Sequence, residues 1–249
     1  MHKMLTFARS VLAVAGLVVA SSSAQAIAIT LPTTRLDAEA VFSFSDDAVS
    51  LFQLTGVSAS ALGNTKAEGS DGWSFTMPVT EVTLNASIFP FKLSPVAGEA
   101  SGSGLLIQKG ANALSLANFT LDFKRNVMLA DITSRIGTVM QYDLFSFKVT
   151  EGLHVSTSGG LSMAMTLDEM TLTTGAQAQF ISGLKLKYFE RMALPGLNFG
   201  SLNIDIAPGL RFNVSDKPLV VAVPEASSLG MLVAGMLAIG VISRRRMKA

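Results

Sequence analysis

Apolar and polar residues alternate along much of the chain between residues 27 and 222, and this two-residue period is typical of β-strands with one buried face. The clearest segments are VTLNASI (82–88), FTLDF (119–123), FSFKV (145–149) and LSMAMTL (161–167), with LKLKY, LNIDI and LRFNV as shorter ones. Outward positions are rich in Thr, Ser, Asn and Lys, as in antiparallel sheets with one solvated face. The pattern predicts an all-β domain, an antiparallel β-sandwich or open barrel of about eight to twelve strands.

The alternation is interrupted at three places. Its phase changes between Leu167 and Met170, which predicts a turn or bulge at Asp168-Glu169. Two Ser/Gly-rich stretches, 97–104 and 156–160, are predicted to be loops within the domain rather than linkers between domains.

The stretch SDDAVSLFQLTG has the signals of a short helix. Ser45 is a suitable N-cap, Asp46-Asp47 place negative charge in the first turn, and Gly56 is a suitable stop. Val49 and Phe52 are then expected to face the core.

A second short helix is predicted in TTGAQAQFISG. Thr174 is the expected cap, Ala176, Phe180 and Ile181 form its apolar face, and Gly183 is the expected stop. We expect both helices to cover the ends or flanks of the β structure.

The N-terminus has the pattern of a secretory signal peptide, residues 1–26. Lys3 and Arg9 precede an uncharged apolar run, and Ala24-Gln25-Ala26 matches the small-residue motif that signal peptidase accepts. Cleavage after Ala26 would make Ile27 the first residue of the mature protein. The alternative, an uncleaved anchor, is less favoured because the apolar run is short for a membrane span.

The C-terminal residues 223–249 contain a second apolar segment. Residues 229–242 and their flanking serines reach the lower length limit for crossing about 30 Å of hydrocarbon, so we predict a single membrane-spanning helix over 228–243. Arg244, Arg245 and Arg246 follow, and clustered basic residues favour the cytoplasmic side. The domain at 27–222 would therefore face away from the cytoplasm.

Val223-Pro224-Glu225-Ala226 stands directly before this segment. Motif, short apolar helix and terminal arginine cluster together resemble a PEP-CTERM sorting signal. The resemblance covers residues 223–249 and implies a Gram-negative host, an exosortase that recognises and processes the tail, and a final location at the cell surface or in an exopolysaccharide matrix. A permanent single-pass anchor is the alternative.

Composition excludes several classes of partner and site. Six of the 19 basic residues and one of the 18 acidic residues lie in the two ends, so residues 27–223 hold 13 basic and 17 acidic residues, a net charge of −4. This balance disfavours nucleic acid as a partner. The chain has no cysteine, which excludes disulfides, thiol catalysis and cysteine metal sites.

Few residues suit catalysis or metal binding. His154 is the one histidine after the signal peptide, so a histidine pair for zinc is impossible, and no G-x-S-x-G stretch presents a serine. His154 is out of phase with its apolar neighbours and is expected to face solvent. Asp46-Asp47 and Asp168-Glu169 lack the spacing of a calcium loop. We assign no catalytic residue, no metal site and no cofactor.

Two surface features have alternative interpretations. Trp73 and Phe75 could form an aromatic platform for a sugar, although a strand entry with a buried tryptophan is favoured. Asn85, Asn118 and Asn213 begin N-x-S/T triplets, which arise by chance and carry little weight for glycosylation.

A looser resemblance concerns the order of motifs in the domain. A short amphipathic helix that ends in glycine is followed by FTMPV, GSGLLI, LSLANFTLDF and then LTTGAQAQF. This order resembles secreted domains of the HtaA type, which are linked to haem uptake. Tyr142, Tyr188 and His154 are the side chains of the usual ligand types, apart from methionines, and the motifs assign none of them.

Three hypotheses for function follow. The first is a non-enzymatic exported protein that passes through the inner membrane, is sorted by exosortase and associates with exopolysaccharide at the surface. The second is a binder of a small ligand, haem or lipid, in an interior that contains Met163, Met165 and Met170. The third is a secreted hydrolase whose carboxylates come from separate strands.

Overall fold

The computed structural model describes residues 27–88, 91–156 and 162–222. Several predicted features lie outside these ranges and remain predictions: Ala24 and Ala26, the motif 223–226, the membrane helix 228–243 and the arginines 244–246. No helix in the described ranges is long and apolar enough to cross a bilayer.

The described residues form twelve strands and three short helices. Their bounds are β1 Ile27–Pro32, β2 Leu36–Phe44, α1 Asp46–Thr55, β3 Val57–Gly63, β4 Lys66–Glu68, β5 Ser74–Pro78, β6 Glu81–Ile88, β7 Phe91–Lys109, β8 Asn112–Asp122, β9 Val127–Ser134, β10 Gly137–Ser156, β11 Ser162–Leu172, α2 Thr174–Gly183, α3 Tyr188–Ala193 and β12 Gly200–Leu210.

The strands make one antiparallel sheet in the order β1-β6-β7-β8-β9-β10-β11-β12-β2-β5-β4, and β3 pairs with the C-terminal half of β7. The sheet curls back on itself. After β5, the Thr80 amide donates to the Glu99 carbonyl of β7 at 2.7 Å, and the Ser101 amide donates to Thr80 Oγ1 at 3.1 Å. The all-β prediction is confirmed as a curled antiparallel sheet with short helices.

Most of the segments with a two-residue period are strands, because their apolar sides meet inside the curl. VTLNASI lies in β6, FSFKV in β10, residues 162–167 of LSMAMTL in β11 and LNIDI in β12, and FTLDF forms the end of β8 and the residue after it. The predicted irregularity in β11 is confirmed, since Glu169 has a φ of 50° and the β10–β11 register shifts beside it. A bulge of this kind changes which face each later residue occupies.

Two segments predicted to be strands are not strands. Leu184 and Leu186 of LKLKY are buried, but Lys185 has a φ of 51° and the chain turns into α3, a helix that the pattern did not predict. LRFNV contributes only Leu210 to β12, and the guanidinium of Arg211 donates instead to the carbonyls of Ala38 in β2 and of Val79, just after β5.

The prediction of a loop at 97–104 is also wrong, because these residues lie in the middle of β7. Ser156 ends β10, and residues 157–160 lie outside the described ranges. Ser and Gly occur in β7 where the chain bulges, with Gly102 at a φ of 76° between the pairs Ala100–Phe119 and Gly104–Ala117.

Helix α1 begins and ends as predicted. Ser45 Oγ accepts from the Ala48 amide at 3.1 Å, and Gly56 ends the helix with a φ of 67°. Phe52 is buried as expected, but the second buried residue is Ala48, whereas Val49 is only half-buried.

Helix α2 differs from the prediction by one residue at its start. Thr173, not Thr174, is the cap, and its Oγ1 accepts from the Ala176 amide at 3.2 Å. Gly183 is the last helical residue and Leu184 is the C-cap. Ala176 and Phe180 are buried as predicted, and Ile181 packs half-buried against the core.

Aromatic side chains from the helices close one end of the curl. The ring centroid of Phe199 lies 6.1 Å from that of Phe52 on α1 and 6.2 Å from that of Phe180 on α2. Phe145 of β10 lies 5.4 Å from Phe199. This cluster fills the helix end of the interior and leaves the space between β6–β9 and β11–β2 less completely packed.

Candidate functional site

One wall of the remaining space is a row of residues in register across four strands. Val82 of β6 pairs with Gly98 of β7, Gly98 with Leu121 of β8, and Leu121 with Met128 of β9. Gly98 has no side chain to fill its place in this row, and a Cβ added there would meet only Leu121 Cδ1, at 3.7 Å. The glycine therefore leaves a gap in a wall that is otherwise apolar.

The facing wall is built in the same way from the other half of the sheet. Met165 pairs with Ile204, Ile204 with Ala40, and Ala40 with Met77. Met163 pairs with Ile206, two residues further along the same two strands. Between the two walls lies a cavity of about 50 Å³, which we call the apolar cavity.

The chemistry of the apolar cavity is uniform. Among the described residues that line it, Glu99 is the only ionisable one, and its cross-strand neighbours Glu81 and Thr120 belong to the outward-facing register of the sheet. Four of the lining residues are methionines, whose flexible side chains adapt to the shape of a ligand. An apolar cavity without donors or acceptors excludes water and favours hydrocarbon.

The apolar surface continues from the cavity to an exposed edge of the sheet. In β1, Ile27, Ile29 and Leu31 pair with Ala86, Leu84 and Val82 of β6, so they share the face on which Leu84 and Val82 line the cavity. All three β1 side chains are exposed, Ile27 by 55%. We call these three residues the β1 rim.

The methionines predicted for the interior divide into two groups. Met163 and Met165 line the apolar cavity. Met170 is fully buried elsewhere in the core, beyond the bulge at Glu169, and its carbonyl accepts from the Phe199 amide at 2.6 Å.

The structure does not bring the three candidate haem ligands together, and none of them lines the apolar cavity. Tyr142 packs half-buried against Gly175 of α2, Tyr188 is exposed on α3, and His154 is exposed on β10 as the sequence predicted. His154 borders an outward-facing concavity with Glu39, Glu151 and Asp205. Within the described ranges no three His, Asp or Glu side chains are placed to hold a metal ion.

The positions of the other candidate residues are explained by packing, helix capping or hydrogen bonding within the fold. Phe75 is fully buried, and Trp73 is half-buried with its ring centroid 5.7 Å from that of Phe44, so the pair does not form an exposed platform. Asp46-Asp47 occupy the first turn of α1. Of the N-x-S/T asparagines, Asn118 is buried and hydrogen-bonded, which removes it from the surface.

Sequence reasoning missed Gly98 and the β1 rim. The Ser/Gly content of 97–104 predicted a loop, so Gly98 was not recognised as a strand residue on the face that lines the cavity. The alternation of Ile27, Ile29 and Leu31 could have predicted a strand, but it does not indicate which strand pairs with it or that these side chains are exposed.

Comparisons with known proteins give only weak likenesses. No family model matches the chain, and no curated protein matches it. The C-terminal domain of HtaA from Corynebacterium glutamicum is 10% identical, with a TM-score of 0.40 over 69% of this chain and 97% of that domain. The heme-binding protein HtaB from the same organism is 12% identical, with a TM-score of 0.42 over 74% of this chain and 98% of HtaB.

Proposed function

We propose that this protein is a non-catalytic binder of an apolar ligand and that the ligand is a hydrocarbon chain, such as the acyl chain of a fatty acid or lipid. One observation supports this most strongly: Val82 and Leu84, which line the apolar cavity, pair with Leu31 and Ile29 of the exposed β1 rim. The end of an acyl chain would occupy the gap at Gly98, and Ile29 and Leu31 would cover the methylenes that follow.

Size and chemistry favour a hydrocarbon chain over haem. Pockets for drug-sized ligands and cofactors are typically about 300–1,000 Å³, well above the volume of this cavity. A chain one methylene wide needs less local expansion than a macrocycle. The side chains that commonly ligate haem, His154, Tyr142 and Tyr188, lie outside the cavity, which leaves only its methionines.

Filling the gap at Gly98 tests this function. Gly98→Leu places a leucine side chain where the ligand would lie, and losing the burial of a ligand segment of that size, about 1.5–3 kcal/mol, weakens binding by about 10- to 100-fold. We expect palmitate to bind the wild-type chain in isothermal titration calorimetry and to bind Gly98→Leu at least about tenfold more weakly.

Gly152→Leu is the matched control, because Gly152 is an exposed glycine of β10 and a Cβ added there would meet no atom within 4 Å. It should bind palmitate as the wild type does. Equal palmitate affinity in all three chains would contradict the assignment of the cavity. Stoichiometric binding of haemin without binding of palmitate would favour haem.

We also propose that the protein is exported and sorted by its tail. The support is the order of signal peptide, domain and tail in the sequence. The association with exopolysaccharide rests on the resemblance of the tail alone. Export would place the apolar cavity where lipids leave or enter a membrane.

Replacing Pro224-Glu225 by Ala-Ala tests the tail. Proline holds the preceding residue extended, and its loss together with the carboxylate removes the processing motif while keeping the apolar segment. We expect the wild type to lose its tail in cells that contain an exosortase, and the variant to keep Ala249 in the inner membrane. Intact-mass spectrometry of fractionated cells measures this, and a wild-type chain that also ends at Ala249 there would count against sorting.

A further inference from the structure

Helix α3 buries its acidic side chain and exposes its large apolar ones, which is the opposite of an ordinary amphipathic surface helix. Its one carboxylate, Glu190, is 4% exposed, whereas Tyr188 is 79% exposed and Phe189 and Met192 are also exposed. A surface helix normally buries its apolar stripe and exposes its charges. Three large apolar side chains on one short exposed helix therefore need an explanation other than packing within this chain.

Buried polar contacts fix this orientation. Glu190 Oε2 accepts from Nζ of Lys109, the last residue of β7, and from the Lys187 amide at 2.5 Å. Arg191 Nε donates to the Leu186 carbonyl at 2.7 Å. The helix cannot roll its aromatic side chains inward without breaking the Lys109–Glu190 pair, so their exposure is built into the fold.

The exposed charges in the segment that carries α3, residues 184–199, are all positive. The exposed residues Lys185, Lys187 and Arg191 flank the aromatic side chains, and the only acid between residues 184 and 199 is Glu190, which is buried and paired. Residues 27–223 as a whole carry a net charge of −4. A positive, aromatic surface on an acidic domain indicates a partner that is anionic and has an apolar layer.

A neighbouring turn also presents a basic and an exposed apolar side chain. The β9–β10 turn carries Arg135 and the exposed Ile136. Gly183, at the end of α2, lies against Ser134 and Leu114, so this turn is next to the segment that leads into α3.

We propose that the α3 patch, which is Lys185, Lys187, Tyr188, Phe189, Arg191 and Met192, docks on the surface of an anionic lipid bilayer. Tyr and Phe rings sit at the level of lipid headgroups, and the stems of Lys and Arg lie along apolar surface while their charges remain in water. Each basic side chain near such a surface adds about 1 kcal/mol, or roughly fivefold in affinity.

This docking surface is distinct from the apolar cavity. Lys109, which anchors α3, lies nine residues along β7 from Ala100 at the cavity, roughly 30 Å at about 3.3 Å per residue. Loss of one therefore leaves the other intact, and the two proposals fail independently.

A single-cysteine probe tests the docking in the full chain, which has no native cysteine. Met192→Cys labelled with an environment-sensitive fluorophore reports local insertion even if the tail itself holds the protein on the membrane. We expect its emission to shift to the blue on vesicles with phosphatidylglycerol but not on pure phosphatidylcholine. Salt at about 1 M, which shortens the screening length to roughly 3 Å, should reverse the shift.

Two controls make the result specific. The same fluorophore at Ser70→Cys, in an exposed turn between β4 and β5, should not shift. The substitution Lys185→Glu, which leaves the contacts of Lys187 and Arg191 in place, should weaken the docked state by about fivefold or more while leaving thermal melting unchanged.

Three outcomes would overturn the proposal: no shift on anionic vesicles, an equal shift on neutral vesicles, or a shift with soluble polyglutamate but not with vesicles. The last result would assign the surface to an acidic protein instead.

Discussion

Asn118 is the most highly connected polar residue among those described, and it shows how one side chain joins distant parts of the chain. Its Oδ1 accepts from the amides of Gly102 at 3.1 Å and Leu219 at 2.7 Å, and its Nδ2 donates to Asp131 at 2.7 Å and to the Leu219 carbonyl at 3.1 Å. The segment after β12 is thereby attached to β8 at Leu219, four residues before the predicted sorting motif at Val223.

Replacing Asn118 by alanine should destabilise the fold strongly. The change leaves two amides and the Asp131 carboxylate without this partner, and each buried unpaired group costs about 1–3 kcal/mol. Its φ of 53° is also unfavourable for alanine. We expect the free energy of unfolding in urea to fall by about 3 kcal/mol or more, and amide exchange at Leu219 to accelerate.

Asn126→Ala is the control for backbone conformation, because Asn126 has the same φ of 53° in an exposed turn. A similar loss in both variants would mean that strain, and not the hydrogen-bond network, explains the result.

The sequence showed Asn118 only as the first residue of an N-x-T triplet. Alternation could not reveal its role, because its left-handed backbone shifts the register of β8 against both neighbours. The partners of Asn118 are also up to 101 residues away, beyond any local pattern.

Among the helices and strands, the sequence predicted an element correctly where both its start and stop signals were present. α1 has a cap, acidic residues in its first turn and a terminal glycine, and it begins and ends as predicted. α3 has only a lysine at its cap position, and its capping interaction comes from Glu190, three residues inside the helix. The alternation of LKLKY reported the burial of Leu184 and Leu186 correctly, but a turn can bury alternate residues as well as a strand does.

The position of α3 depends on the ionised form of Glu190. Burial raises the pKa of Glu190, but hydrogen bonds from Lys109 and from the Lys187 amide, together with their positive charges, outweigh it and hold the pKa below its ordinary range. Because the pKa is lower in the folded protein, the carboxylate stabilises the fold above the unfolded pKa of about 4.5 and loses this effect as the pH falls through the folded pKa.

Glu190→Gln should therefore be less stable at neutral pH, by about 3 kcal/mol, because a nearly buried ion pair has lost one charge. The difference from the wild type should shrink below about pH 4.5, as urea denaturation at a series of pH values can show. The control Glu169→Gln removes an exposed pair with Lys148 and should cost under about 1 kcal/mol. A pH-independent difference for Glu190→Gln would contradict this account of the ion pair.

For the whole molecule, the class of fold was predictable and the order of strands was not. Alternation identified antiparallel strands because each has one wet and one buried face, as in the ladder from Met165 through Ile204 to Ala40. That ladder joins β2 to β12, over 160 residues apart, and local patterns do not determine such pairings. The cavity follows from this order, since only the curled sheet brings Gly98 opposite Met163 and Met165.

The claim that the apolar cavity binds a hydrocarbon chain is tested most directly by locating a bound chain. The wild-type protein would be crystallised with a fatty acid that carries bromine at its methyl end, and the bromine found by its anomalous scattering. We expect the bromine in the gap at Gly98, between Leu121 and Met163, with the methylenes leading toward Ile29. A fully occupied bromine elsewhere on the molecule, with the cavity unchanged, would contradict the account.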